Sequence, residues 1–171
     1  SYIIFVCNKV KNILPYSALK LIYSTLIHSN LLYGILAWGN SAHVGKLFQL
    51  QKRAIRVLNK KSYRSHTDLL FKSNKILKLS DLYKLQIVLF MYDYLHGRLP
   101  KSFDNTYKLS RSTRHNNVIC EKARTKYSGD LPLHSFARIW NSFNTNVKSC
   151  TSRSLLKTTV TNQLLNLNSN Q

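Results

Sequence analysis

No aspartate or glutamate occurs between Ser1 and Thr67, although lysines and arginines recur through that stretch. Surfaces that serve only solubility mix the two signs, so an acid-free stretch of this length is a constraint on what the chain can fold into and bind. Over all 171 residues, 26 lysines and arginines face 6 acids, a formal charge of +20. Self-repulsion of that size opposes compaction unless an anionic partner relieves it. Nucleic acid is the first such partner and an anionic membrane surface the second. An apolar content of 44% supports a real core, either one domain or two small packed subdomains, and argues against disorder throughout.

Targeting and redox signals are weak. Tyr2 to Cys7 lacks the charged n-region and the small-residue cleavage site of a secretory signal. The longest apolar stretch, Leu19 to Gly39, is interrupted by Lys20, His28 and Asn30, which are costly at bilayer depth, so no membrane span is expected. Cys7, Cys120 and Cys150 are odd in number and far apart, which is no disulfide framework; reduced thiols and an intracellular location, cytoplasm or nucleus, fit best. With Met91 the only methionine and an apolar run at Ser1, the sequence reads as part of a longer protein.

Apolar periodicity predicts a mainly α chain: a helical, bundle-like region over residues 1–100, a less regular basic segment over 101–131 and C-terminal helices over 132–171. Ile3, Val6, Cys7, Val10, Ile13 and Leu14 repeat at helical spacing up to Pro15, which closes one helix and can open the next. Leu31 to Trp38 is almost wholly apolar and reads as a buried helix ending near Gly39, with Trp38 in the core. A short helix is expected over Thr67 to Lys72. A longer one, Leu82 to His96, should open at Ser80 and Asp81, close at Gly97, and be apolar nearly all round, as a core helix is. Beyond Pro100 the periodicity fades, with at most a short strand near Val118 to Cys120. Helical spacing returns after Pro132 and again over Ser152 to Leu167, where Leu155, Leu156, Val160, Leu164 and Leu167 form the expected buried stripe.

The segment His43 to Asn59 carries the most information. At roughly 100° per residue, Val44, Leu47, Phe48, Gln51, Ala54, Ile55 and Leu58 share one face, while Lys46, Gln49, Lys52, Arg53, Arg56 and Lys60 share another within an arc of about 120°. Lys61 and Arg64 extend the basic surface past the helix end. The bland reading is a solvated face; the sharper one is phosphate contact, in which several neutralised phosphates drive binding through counterion release. A second basic group, Arg111, Arg114, Lys122, Arg124 and Lys126, is interleaved with Tyr107 and Tyr127. Base stacking there competes with ordinary packing of the tyrosines.

Leu31-Leu32-Tyr33-Gly34-Ile35-Leu36-Ala37-Trp38-Gly39, followed by Leu50-Gln51-Lys52-Arg53-Ala54-Ile55-Arg56, resembles the region downstream of the palm in reverse transcriptases of non-LTR, LINE-type (jockey-like) retrotransposons. The resemblance continues through Ser80-Asp81-Leu82-Tyr83, Gly97-Arg98-Leu99-Pro100, Thr113-Arg114, Arg124-Thr125, Ser135-Phe136 and Trp140-Asn141, although Ser142-Phe143 stands where relatives carry Leu-Pro. It implies a thumb-like helical region of an RNA-directed DNA polymerase, an RNA or RNA/DNA duplex as partner, and an upstream palm in the same polyprotein. Magnesium would belong to that palm, not to this segment.

Catalysis by these residues alone is not expected. Two-metal nucleotidyl transfer needs clustered carboxylates, and Asp68, Asp81, Asp93, Asp104, Glu121 and Asp130 are scattered. The six histidines form no metal-ligand spacing, and five glycines build no phosphate loop. The expected function is therefore non-catalytic grip on backbone phosphates, read by shape rather than sequence. The rival readings are a structural helical scaffold or degenerate element remnant, and an enzyme whose catalytic part lies upstream.

Overall fold

The structure, a computed structural model, describes residues 2–110, 117–120 and 122–167. Among these the chain is mainly helical, with no strand and only one isolated antiparallel bridge, Leu109 to Val118. The short strand expected near Val118 is thus reduced to a single pairing, in which Ile119 N–H donates to the Lys108 carbonyl (2.8 Å) and Ser110 N–H to that of Asn117 (2.9 Å). The chain divides into two compact units, Ser1–Leu82 with Leu165–Gln171, and Tyr83–Leu164.

In the first unit, helix α1 (Tyr2–Val10) ends in a turn before Pro15, and α2 (Tyr16–Ile22) begins just after it. The helical path then widens into a π turn, Tyr23–His28, and closes as α3 (Ser29–Leu32). Extra carbonyl demand accompanies that turn: the Thr25 hydroxyl bonds the Leu21 carbonyl at 2.8 Å, and Ser29 bonds that of Thr25. Such back-bonding from Ser and Thr competes with the main-chain ladder.

The apolar run Leu31 to Trp38 is not one helix. Gly34 adopts φ +60°, a left-handed conformation open to glycine, and separates α3 from α4 (Ile35–Trp38). The break turns Tyr33 into solvent and leaves Trp38 half-buried, its indole Nε1–H donating to the Tyr33 carbonyl at 2.7 Å. Trp38 is therefore not the core residue that its apolar surroundings suggested.

Helix α5 (Val44–Leu58) buries Gln51, Ala54, Ile55, Val57 and Leu58. Leu19, Tyr23, Ala54, Ile55, Leu58 and Phe71 form one core cluster, with Ile4, Leu14, Ile27, Phe48, Leu70 and Ile76 packed around it. Phe71 belongs to α6 (Asp68–Ser73), which starts after a buried Thr67, with Asp68 near the positive end of its dipole. Asn74 then links the ends of both helices, donating from Nδ2 to Asn59 Oδ1 at 3.0 Å.

Helices α5, α6 and α7 (Leu79–Leu95) end the same way. A left-handed residue follows the cap, and the next N–H reaches back to the third-last carbonyl: Lys61 to Arg56, Ile76 to Phe71 and Arg98 to Asp93, each at 2.9 Å. This closure normally selects glycine. Gly97 obeys that preference, whereas α5 and α6 place Lys60 and Lys75 there at φ 54°.

The second unit is built on the part of α7 from Tyr83 onward, where Leu85, Ile87, Val88, Leu89, Met91 and Tyr92 are buried and Phe90 is half-buried. Phe90 meets Phe136 and Phe103 edge-on at 5.4 and 5.6 Å. A short 3-10 turn (Lys101–Phe103) leads into the irregular segment, which ends earlier than its sequence suggested, in α8 (Lys126–Asp130). Helix α9 (Pro132–Asn141) buries Phe136, Ala137 and Trp140. Helix α10 (Thr145–Lys148) follows, and α11 (Arg153–Leu167) buries Leu156, Val160 and Leu164 while leaving Leu155 half exposed, outside the expected stripe.

Candidate nucleic-acid interface

The motif Gln51-Lys52-Arg53-Ala54-Ile55-Arg56 divides between interior and surface. Gln51 is fully buried, and its Nε2 donates to the Tyr23 hydroxyl (3.2 Å) and the Leu77 carbonyl (3.0 Å). That amide joins α5 to the π turn and to the segment after α6. Burial pushes the Tyr23 phenol above its usual pKa, only partly offset by the Gln51 hydrogen bond, so it stays neutral and serves as an acceptor.

Lys46, Arg53, Lys60, Lys61 and Arg64 are exposed, and Lys52 and Arg56 are half-buried. The helix period therefore does place the basic residues opposite Ala54, Ile55 and Leu58, and the left-handed turn at Lys60 carries the charge onward to Lys61 and Arg64. Not all of these cations stand alone. Lys52 Nζ lies over the Phe48 ring at 4.5 Å, and Arg56 Nε donates to the Ser65 carbonyl at 2.8 Å. Arg53 and Arg56 both approach the Tyr63 ring, at 5.7 and 5.8 Å from its centroid, a spacing within the range of cation–π attraction. Tyr63 itself is 69% exposed. Arg56 thus shapes the turn after α5, while Lys46, Lys60, Lys61 and Arg64 are exposed and Arg53, also exposed, reaches the Tyr63 hydroxyl from Nη2 at 3.5 Å.

The first acid after this face, Asp68, is engaged elsewhere. Lys78 Nζ sits 2.8 Å from its carboxylate, and this hydrogen bond holds the carboxyl below the usual range, with the charges of Lys78, Lys52 and His66 acting in the same sense.

The second basic group is only partly covered: Arg111 and Arg114 lie outside the described residues. Lys122, Arg124 and Lys126 are exposed, the last two flanking Thr125, whose hydroxyl caps α8 by accepting from Ser128 N–H at 3.1 Å. The two tyrosines part company. Tyr127 is 79% exposed, whereas Tyr107 is buried, with its hydroxyl donating to the Pro132 carbonyl at 3.2 Å. Tyr107 is therefore closed to base stacking and serves packing.

Sequence reasoning missed Tyr63, whose place beside two arginines depends on the turn at Lys60; an aromatic ring in a basic run was the available signal. Among the described residues no group of three or more His, Cys, Asp or Glu side chains is placed to hold a metal ion. No described helix is long and apolar enough to cross a membrane. Compared with family models, curated proteins and solved structures, the chain gives no match in any of the three.

Proposed function

We propose that this chain is a non-catalytic, nucleic-acid-binding part of a retrotransposon RNA-directed DNA polymerase, gripping a template–primer duplex or the element's own RNA through backbone phosphates. The observation that carries the reading is the exposed row Lys46, Arg53, Lys60, Lys61 and Arg64 on and beyond α5, in a stretch without acids and backed by a packed apolar face. Lys46 and Arg53 are held in register by α5, and Lys60, Lys61 and Arg64 follow on the turn beyond it, so several positive charges stand close together for a phosphate backbone. The family resemblance of Tyr33-Gly34, Trp38-Gly39 and Gln51 to Arg56 supplies the polymerase context, with the upstream palm of the same polyprotein as second partner. Catalysis and its magnesium belong to that palm in this reading.

The test is a binding titration of the full chain against two duplexes of unrelated sequence over a range of salt. Similar affinities for both, falling linearly in log–log form with a slope of several units, support the proposal. Weak binding without salt dependence, or strong preference for one sequence, refutes it. Primer extension by the same preparation with magnesium and nucleotides would refute the non-catalytic part.

A further inference from the structure

A cleft of about 420 Å³ opens between α1 and α5, and it shares Arg53, Arg56 and Lys61 with the basic face of α5. Four cations line it, Lys11, Arg53, Arg56 and Lys61, and no carboxylate does. Ile4, Phe5, Leu50, Val57 and Tyr63 supply most of the rest of its lining. Phe5 and Tyr63 are 59% and 69% exposed, so both rings have surface available to a flat ligand. Lys9 adds a further charge 5.5 Å above the Phe5 ring.

A duplex backbone presents phosphates but keeps its bases stacked inside, and it has no use for an apolar and aromatic lining. A cavity needs its ligand to satisfy both halves. The volume lies in the range of small-molecule pockets, and a nucleoside monophosphate offers what the lining asks for: a flat aromatic base for Phe5 and Tyr63, and a dianionic phosphate for the arginines and lysines. Arginine is suited to this, because its planar guanidinium can face an aromatic ring and still donate in a fork to phosphate oxygens.

We infer that the cleft between α1 and α5 binds one unpaired nucleotide, its base on Phe5 and Tyr63 and its phosphate at Arg53, Arg56, Lys11 and Lys61. The inference rests on the phosphate-binding reading of α5, and adds a specific unit, a single unstacked nucleotide, to it. That unit is either the overhanging end of a strand or a free nucleotide.

Calorimetric titration of the full chain with adenosine monophosphate and, separately, inorganic phosphate decides the matter without any substitution. Saturable binding of the nucleotide about tenfold or more tighter than phosphate is expected, since base stacking adds to the ionic attraction. Phe5→Ser removes no charge and should weaken nucleotide binding several-fold while leaving phosphate and blunt duplex affinity unchanged. A duplex with a one-nucleotide overhang binding several-fold tighter than the blunt duplex assigns the cleft to strand ends; equal affinities with nucleotide binding intact assign it to free nucleotide. Adenosine monophosphate binding no tighter than phosphate overturns the inference, even where duplex binding holds. Nucleotide binding without duplex binding would instead keep the cleft and overturn the duplex reading.

Discussion

The side-chain amide of Asn141 pairs with both main-chain groups of Val118: Oδ1 accepts from the Val118 N–H at 3.0 Å, and Nδ2 donates to its carbonyl at 2.7 Å. An asparagine at the end of α9 thus does for one buried residue of the irregular segment what a neighbouring strand would do. The Asn141 carbonyl in turn accepts from Lys148 Nζ (3.1 Å), which also reaches Asn117 Oδ1 (2.8 Å). Asn141→Leu should strand both main-chain groups of Val118 and lower stability by about 1 to 3 kcal/mol. Hydrogen exchange at Val118 N–H checks the cause, because protection there should fall more than protection in α11.

Tyr107 provides a pH signature. Burial, then the neighbouring phenols Tyr94 and Tyr83, push its pKa from 10.0 up to about 12. The neutral form is the one the fold favours, so this contribution is fully present below about pH 10 and is lost as pH rises toward about 12. The loss amounts to about 2 kcal/mol. In Tyr107→Phe the decline of stability between those two pH values should be shallower, at a cost near neutral pH of about 1 kcal/mol for the lost bond to the Pro132 carbonyl. Chemical denaturation at pH 8, 10 and 11.5 measures both effects, and an unchanged alkaline decline would assign it to other groups.

Lys60 occupies a left-handed position (φ 54°) that glycine adopts without strain. Lys60→Gly should therefore stabilise the chain by up to about 1 kcal/mol. The same substitution removes an exposed cation from the candidate interface, and duplex affinity should fall even as the melting temperature rises. Opposite signs in the two measurements would show a strained residue retained for its charge; parallel signs would show that Lys60 serves the turn alone.

Arg53 and Arg56 are three residues apart and approach the same ring, yet they should respond differently. Arg56 Nε holds the Ser65 carbonyl, so Arg56→Ala should cost about 1 kcal/mol of stability, while Arg53→Ala should cost little and act mainly on binding. Thermal melts and duplex titrations on the two variants separate the roles. Equal destabilisation by both would mean that Tyr63, rather than Ser65, anchors the arginines.

Much of this was legible from spacing. The 3.6-residue period places Gln51, Ala54, Ile55 and Leu58 together on the buried side of α5, whereas Val57, outside that set, is buried as well, and Val44, Leu47 and Phe48 are only half-buried. The alternation of Leu82 to Tyr92 likewise reads as a core helix. What spacing could not show was where helices stop being regular. The π turn at Tyr23–His28 and the break at Gly34 move Trp38 out of the core. The left-handed Lys60 lies in a lysine pair that looks like a simple charge run. Polar partners were equally hidden, since Gln51 with Leu77, Arg56 with Ser65 and Asn141 with Val118 are set by packing between separate segments.

The most direct test of the phosphate-binding face replaces Lys46, Arg53, Lys60 and Arg64 together by alanine, because all four are exposed and the hydrogen bond of Arg56 is left in place. Affinity for a duplex is measured against salt for this variant and for the unaltered chain, with circular dichroism confirming the helices of both. The expected result is a folded variant whose log–log salt slope is smaller by roughly 0.7 to 0.9 for each phosphate contact removed. A folded variant with the affinity and slope of the unaltered chain would contradict the account and leave α5 a solvated helix face.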